Sequence, residues 1–342
     1  MSQKNLNASS KTHSFLLNKL KDKKISQIYN KFEKELGLND DFIVAVSGGP
    51  DSLALSFLSM IYSIKKRVKV EYFLVDHKLR KNSTEEARFV KKLFQKFKTN
   101  LIILNWNGIK PKTNTQSIAR EKRYNLLIRK AKKLKINNIL LGHQKEDLFE
   151  NFFIRLLRGT GLNGMVSFDK KSQIKKINLI RPLLNFSKKD LEKISKTVFS
   201  TYIQDPTNLN EQYKRVKIRN FIAKLQSEGF NFKKFNLTLN NLKFANETIN
   251  FFTQKNLDDN SVKGNKNNSV LLNKEFFNQP KEVVFRSFTE VLKIVGKRFY
   301  PSRGKKIVRV LDQVKNDSLI KTTLGNCVIK KVNQTIIVSK EH

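Results

Sequence analysis

The sequence predicts an α/β chain. It reads as a doubly wound, mainly parallel sheet with helices on both faces, followed by a smaller, mostly helical domain that ends in a β-hairpin. Three observations carry this. Apolar, β-branched runs alternate with stretches of helical apolar spacing between residues 42 and 157, as in a parallel sheet covered on both sides. The character changes near residue 210, after which residues 215–256 are Lys- and Asn-rich with helical spacing. The C-terminal stretch "TTLGNCVIKKVNQTIIVSKE" holds two short strand-like runs.

Residues 1–22 are polar and read as a flexible N-terminal tail. A first domain is expected over 23–212 and a second, helical and substrate-binding, over 213–342. "FIVAVS" (42–47) is the first strand and residues 52–65 the first helix after it. "VKVEYFLVDH" (68–77), "LIILNW" (101–106) and "NNILLGH" (137–143) are further strands. Helices are expected at 83–97, 116–134 and 146–157 between and after them. In the second domain, "DDNSVKGNKNNS" (258–269) reads as a flexible loop, and residues 281–295 are apolar at helical spacing.

Hydrophobic residues make up 39% of the 342, and 26 are Phe, enough for a real core. Lys plus Arg is 68 against 29 Asp plus Glu, a formal charge of +39. Compositional bias inflates Lys but does not make acids scarce. The excess points to a polyanion, nucleic acid before membrane. The single cysteine, Cys327, excludes an intrachain disulfide and a zinc site with two thiolates. The N-terminus lacks the apolar core of a signal peptide, and no window reaches the ~20 apolar residues of a membrane span. A cytoplasmic location is the expectation, with no membrane partner.

The chemistry begins at "SGGPDS" (47–52), between a strand and a helix. Gly48 and Gly49 leave amide groups free to face an anion. Pro50 suits a first helical turn, and Ser47 and Ser52 offer hydroxyls. Asp51 would repel phosphate unless it holds Mg²⁺ against it. A plain strand–turn–helix junction is the competing reading. The Walker pattern is absent. "GTGLNG" (159–164) follows a helix instead of a strand, so its glycines are expected to end that helix and shape a loop.

In "GHQKEDLFEN" (142–151), His143, Asp147 and Glu150 fall at i, i+4 and i+7, one helix face at the C-terminal end of a strand. Asp147 is a candidate to share Mg²⁺ with Asp51, and His143 to hold a phosphate. A solvated helix face is the alternative.

"SGGPDS" after an apolar strand resembles the loop of the N-type ATP pyrophosphatases, the PP-loop superfamily. The resemblance implies that ATP is split between its α and β phosphates. Further strings, in order, are "VDHKLR", "QSIAREKRY", "GHQKEDLFEN", "RLLRGTGLNGM", "RPLL", "DPTN" and "RVKIRN". Together they resemble the tRNA(Ile)-lysidine synthetase family over residues 40–225, and less specifically beyond. The resemblance implies adenylation of the wobble cytidine in the CAU anticodon of tRNA(Ile), then attack by free L-lysine with loss of AMP. It also implies catalytic roles for Asp51, Asp147 and His143, with Asp51 and Asp147 as the metal pair. Ser47, Gly48, Gly49, Pro50, Asp51, Ser52, Asp76 and His77 would bind the nucleotide, although Asp76 has an equal claim as a turn cap. Arg80, Arg120, Arg123, Arg155, Arg158, Arg215 and Arg219 would hold RNA, Arg being able to grip phosphate bidentately. Where the family pattern has Asp, Gln and Thr, this chain has Glu146, Leu148 and Asn151; Leu148 cannot replace an amide's hydrogen bonds, which puts any role of that position in doubt. Two rival functions remain: a PP-loop tRNA thiolase, which a lone cysteine serves poorly, and a non-catalytic RNA binder, which has no use for the carboxylates. The oligomeric state is not legible in the sequence, a homodimer being one possibility.

Overall fold

The computed structural model describes residues 12–80, 82–108, 111, 115–204, 214–264, 269–297 and 302–341. The chain divides into two compact units, Met1–Phe230 and Asn231–His342.

The first unit opens with helix α1 (12–18) and α2 (Lys23–Leu36). Then follow β1 (Phe42–Val46), α3 (Pro50–Lys66), β2 (Val70–Asp76), α4 (Ser83–Gln95), β3 (Leu101–Asn105), α5 (Thr115–Leu134), β4 (Asn138–Leu141), α6 (Lys145–Leu156), α7 (Leu162–Val166), β5 (Lys171–Ile174), β6 (Ile177–Ile180), α8 (Lys188–Phe199) and α9 (Lys214–Ser227). The expected loose tail is a correction over its described part. Residues 12–18 are helical and Leu16 is 2% exposed within the main core. Three adjacent apolar residues, Phe15 to Leu17, gave this segment a face to bury despite its polar flanks. The first unit also runs past residue 212, because α9 packs on α6.

The sheet order is β3-β2-β1-β4-β6-β5. Only β5 runs antiparallel to its neighbour. Strand residues alternate between two cores. Phe42, Val44, Val46 and Leu74 face α3, α4 and α8. Ile43, Phe73, Leu104, Ile139 and Leu141 cluster with Leu127, Ile128 and Ala131 of α5. Both faces are covered, which is why the strands read as apolar throughout. The chain reverses direction across the sheet between β1 and β4, so a crevice opens at their C-terminal ends, where such sheets bind ligands. The β5–β6 hairpin turns through Lys175 and Lys176, both at positive φ (50° and 68°). Two-residue turns of this kind favour Asn-Gly, and each non-glycine residue there costs about 1 kcal/mol.

The second unit holds α10 (Phe232–Asn260), β7 (Ser261–Lys263), β8 (Val270–Leu272), α11 (Lys281–Val295), α12 (Gly304–Lys315), β9 (Lys321–Thr323), β10 (Cys327–Val332) and β11 (Thr335–Lys340). The expected hairpin is present as β10–β11, but it lies inside a five-stranded antiparallel sheet, β7-β8-β11-β10-β9. The stretch expected as a loop over 258–269 instead ends α10 and forms β7, and its residues 265–268 lie outside those described. Val262, Leu271 and Val270 gave it enough β-character to add a hairpin to a sheet whose other strands come later. Cys327 is fully buried there, its thiol 3.4 Å from the Leu292 carbonyl.

Candidate active site

The loop after β1 is shaped by its own hydroxyls. Ser47 N and Ser47 Oγ each lie 3.1 Å from Ser52 Oγ, which donates in turn to the Gly49 carbonyl at 2.9 Å. Gly48 has φ +85°, and a Cβ there would meet Val90 of α4 at 2.7 Å and Ile203 at 3.0 Å. Ile203 N also donates to the Gly48 carbonyl at 2.9 Å. Gly49 is the N-cap of α3 and Pro50 sits in its first turn, so the helix N-terminus faces the crevice.

Asp51 stands in that first turn. Burial and then Asp147 push its carboxyl up to about 7, with Lys188 opposing and Glu146 and Glu192 adding to the rise. Its Oδ1 is buried and has no hydrogen-bond partner among the described residues. Asp147 lies in the first turn of α6, where its Oδ2 accepts from Gln144 N at 3.0 Å and closes a capping box. Burial lifts Asp147 to about 6; the Gln144 amide opposes this and Glu150 adds to it. Two buried acids, of which Asp147 raises Asp51 and Asp51 keeps an unsatisfied oxygen, offer oxygen donors of the kind a hard divalent cation takes.

His143 follows β4 through Gly142. Burial, then Arg181, Arg120, Arg215 and Arg123, hold its imidazole well below its usual pKa, so it is neutral at pH 7. Its Nδ1 is buried without a partner among the described residues, and its ring meets Phe168 edge-on at 5.1 Å. Four guanidiniums near one neutral ring make a strongly positive field at the crevice. On the other side, His77 after β2 accepts from Arg123 Nε at 3.2 Å. Burial and then Arg123 lower its pKa to about 4.

A family model for the PP-loop domain matches residues 17–226. The tRNA(Ile)-lysidine synthase of Wolbachia pipientis wMel is 30% identical over 306 residues, 89% of this chain and 71% of that relative. The chain belongs to the tRNA(Ile)-lysidine synthase family. The synthase of Orientia tsutsugamushi (strain Boryong) is likewise 30% identical, over 89% of this chain and 70% of its own. Among solved structures, the U34-tRNA thiolase NcsA from Methanococcus maripaludis with its 4Fe-4S cluster is similar with a TM-score of 0.55. It covers 64% of this chain and 79% of its own at 16% identity, a likeness of fold alone. A tRNA(Ile)-lysidine synthase is an ATP-dependent ligase, and the loop from Ser47 to Ser52 lies within the residues matched to the PP-loop domain.

The residues expected at the synthase site divide into two groups. Ser47, Gly48, Gly49, Pro50, Asp51, Ser52, His77, Arg120, Arg123, His143, Asp147 and Arg215 come together around the crevice, as the contacts and fields above record. Others are engaged elsewhere. Asp76 is 2% exposed and accepts from Ser83 Oγ (2.8 Å), Thr84 Oγ1 (2.7 Å) and Lys78 N (2.9 Å). Burial works against the ionised form of Asp76, but these bonds outweigh it and keep its pKa low. Its oxygens are spent on the β2–α4 turn. Arg80 pairs with Glu86 at 2.8 Å. Arg155 donates to Asn151 Oδ1 at 2.6 Å and to the Gly164 carbonyl at 2.5 Å, closing the loop after α6. In that loop Gly159 has φ +62°, which ends the helix as the sequence suggests. Arg158 is exposed. Arg219 Nε lies 2.5 Å from Oε1 of Glu150, which is 4% exposed. "DPTN" (205–208) lies outside the described residues.

The sequence reading did not single out two residues that the structure places at the crevice. Gly142 lets β4 touch the loop, since a Cβ there would stand 3.1 Å from the Ser52 backbone. Arg181 is 5% exposed, with Nε unpartnered among the described residues and its guanidinium 4.9 Å from the Phe168 ring centroid. Its place in "RPLL", directly after an apolar strand, was the available signal.

Proposed function

We propose that the chain converts the wobble cytidine of a CAU-anticodon tRNA(Ile) to lysidine. Cytidine O2 attacks the α-phosphate of ATP and pyrophosphate departs. The amine of free L-lysine then bonds to C2, the C2–O2 bond breaks, AMP leaves with that oxygen, and the amine loses a proton. The observation that carries this reading is the buried, unpartnered Oδ1 of Asp51 after the glycine loop, on a carboxyl that Asp147 pushes up.

Mg²⁺ fits this pair, and Asp51 and Asp147 would hold it. When bound it neutralises charge on the departing pyrophosphate. The chain's own groups supply the rest. The loop amides and the α3 N-terminus bind phosphate oxygens. The guanidiniums of Arg120, Arg123, Arg181 and Arg215 favour the polyanion, and neutral His143 offers Nδ1 for a hydrogen bond. The +39 charge supports a tRNA substrate.

The test is a reaction of the full chain with ATP, Mg²⁺, labelled lysine and tRNA(Ile) bearing CAU, with the methionine tRNA as control. Release of AMP with lysine incorporated into tRNA(Ile) alone is expected. No AMP above background sinks the reading.

A further inference from the structure

A cavity of about 700 Å³ lies along α5, outside the crevice just described, walled by Trp106 at the end of β3. Lys122, Asn125, Arg129 and Lys132 line it. Their spacing of three, four and three residues places them on one flank of α5, while Leu127, Ile128 and Ala131 of the same helix are buried in the core. From Lys122 to Lys132 the flank runs about 15 Å, long enough for several consecutive phosphates. Lys175, from the β5–β6 turn, completes the lining. No acidic residue lines the cavity among the described residues. Among the described residues, Lys122, Arg129, Lys132 and Lys175 have no ion pair or hydrogen bond either. Elsewhere in the unit, cations such as Lys24, Lys170 and Arg219 are paired.

The turn supplies a second observation. Lys175 and Lys176 both hold positive φ, 50° and 68°, where an Asn-Gly pair would sit without strain. Unfavourable backbone persists where something else is served, and here the turn places Lys175 at the cavity with Lys176 next to it in the chain.

We propose that this groove binds the phosphodiester backbone of the tRNA substrate at a distance from the reacting base. The inference rests on the tRNA reading above and adds a docking surface to it. Cations on a helix flank contact phosphates and carry no base code, so the groove contributes affinity without selecting sequence.

The experiment titrates tRNA(Ile) and tRNA(Met) onto the full chain and onto Lys122→Ala/Arg129→Ala/Lys132→Ala/Lys175→Ala, over a range of salt. The variant is expected to bind both tRNAs about tenfold more weakly at near-physiological salt. The slope of log K against log salt should become shallower by about 3, the release of counterions from roughly four contacts. KM for tRNA should rise while KM for ATP and kcat at saturating tRNA hold. Unchanged Kd and slope in a folded variant overturn the proposal, and so does a loss confined to tRNA(Ile). A second variant, Lys175→Asn/Lys176→Gly, relaxes the turn; it should raise Tm and weaken tRNA binding about twofold. A higher Tm with unaltered affinity overturns the turn's part. Tight tRNA binding by the unaltered chain with no lysine incorporation would defeat the enzymatic reading alone, and the groove measurement would still stand.

Discussion

Gly142, at the end of β4, presses against the backbone of Ser52 so closely that a single added carbon would stand 3.1 Å from Ser52 N and Cα. The first turn of α3 and the segment between β4 and α6 meet at this contact. Backbone cannot rotate away as a side chain can, so the two segments must part if the contact is filled.

Gly142→Ala is therefore expected to lower kcat by about 3–10-fold, since the backbone must give by only a few tenths of an ångström and displacements near 1 Å cost about 100-fold. Stability should fall by about 1–2 kcal/mol. Affinity for tRNA should hold, because no RNA-facing cation moves. Steady-state kinetics beside a tRNA titration separates the two effects.

Asp51→Asn is expected to abolish turnover and stabilise the metal-free protein. A carboxyl whose pKa is higher in the folded chain takes up a proton on folding. Its contribution is complete below about pH 4 and is lost as pH rises through about 7. The gain from the amide should thus be absent near pH 4, grow between pH 4 and 7, and level off above at about 4 kcal/mol. Melting curves across that range read it. Mg²⁺ should raise Tm of the unaltered chain more than that of the variant, and an equal rise would remove Asp51 from the metal site.

Asp76 should behave in the opposite sense. Its folded pKa is lowered by the Thr84, Lys78 and Ser83 bonds, which overcome the burial that opposes them. Its stabilisation is present above about pH 4, the unfolded value, and is lost as pH falls through the folded one. Asp76→Asn should cost about 1–2 kcal/mol at pH 7, and the difference from the unaltered chain should shrink in acid. Denaturant midpoints at pH 7 and pH 3 test this.

Arg219→Ala leaves Glu150 charged and buried, at 4% exposure. It should destabilise the first unit by about 2–3 kcal/mol, somewhat less than for a fully buried pair because Arg219 is partly exposed. Adding Glu150→Gln should restore a large part of the loss, and a double-mutant cycle measures it. Additive losses would show that the pair is not coupled.

The parallel core was legible because both faces of β1 to β4 are covered. Their apolar runs leave no competing pattern, and the glycine loop marks where the first strand ends. The β5–β6 hairpin was not legible: each strand has four residues, and the turn is Lys-Lys where Asn-Gly would have announced it. The α1 helix was hidden by its polar flanks, although Leu16 anchors it. At the site, single strings raised the expectations for Asp51, His143 and Asp147, which the structure places at the crevice. The part of Gly142 depends on two loops about ninety residues apart in sequence meeting in space, as contacts set by the sheet order do. Arg155 and Asp76 show the converse. Their types fit a ligand, but local carbonyls and hydroxyls had already taken their hydrogen bonds.

Gly48 is closed from behind by Val90 and Ile203, and its carbonyl is tied to Ile203 N. The loop keeps its cradle shape before any nucleotide arrives. Nucleotide capture then requires little ordering of the loop backbone, so its heat signature should lack the large opposing entropy of a disorder-to-order transition.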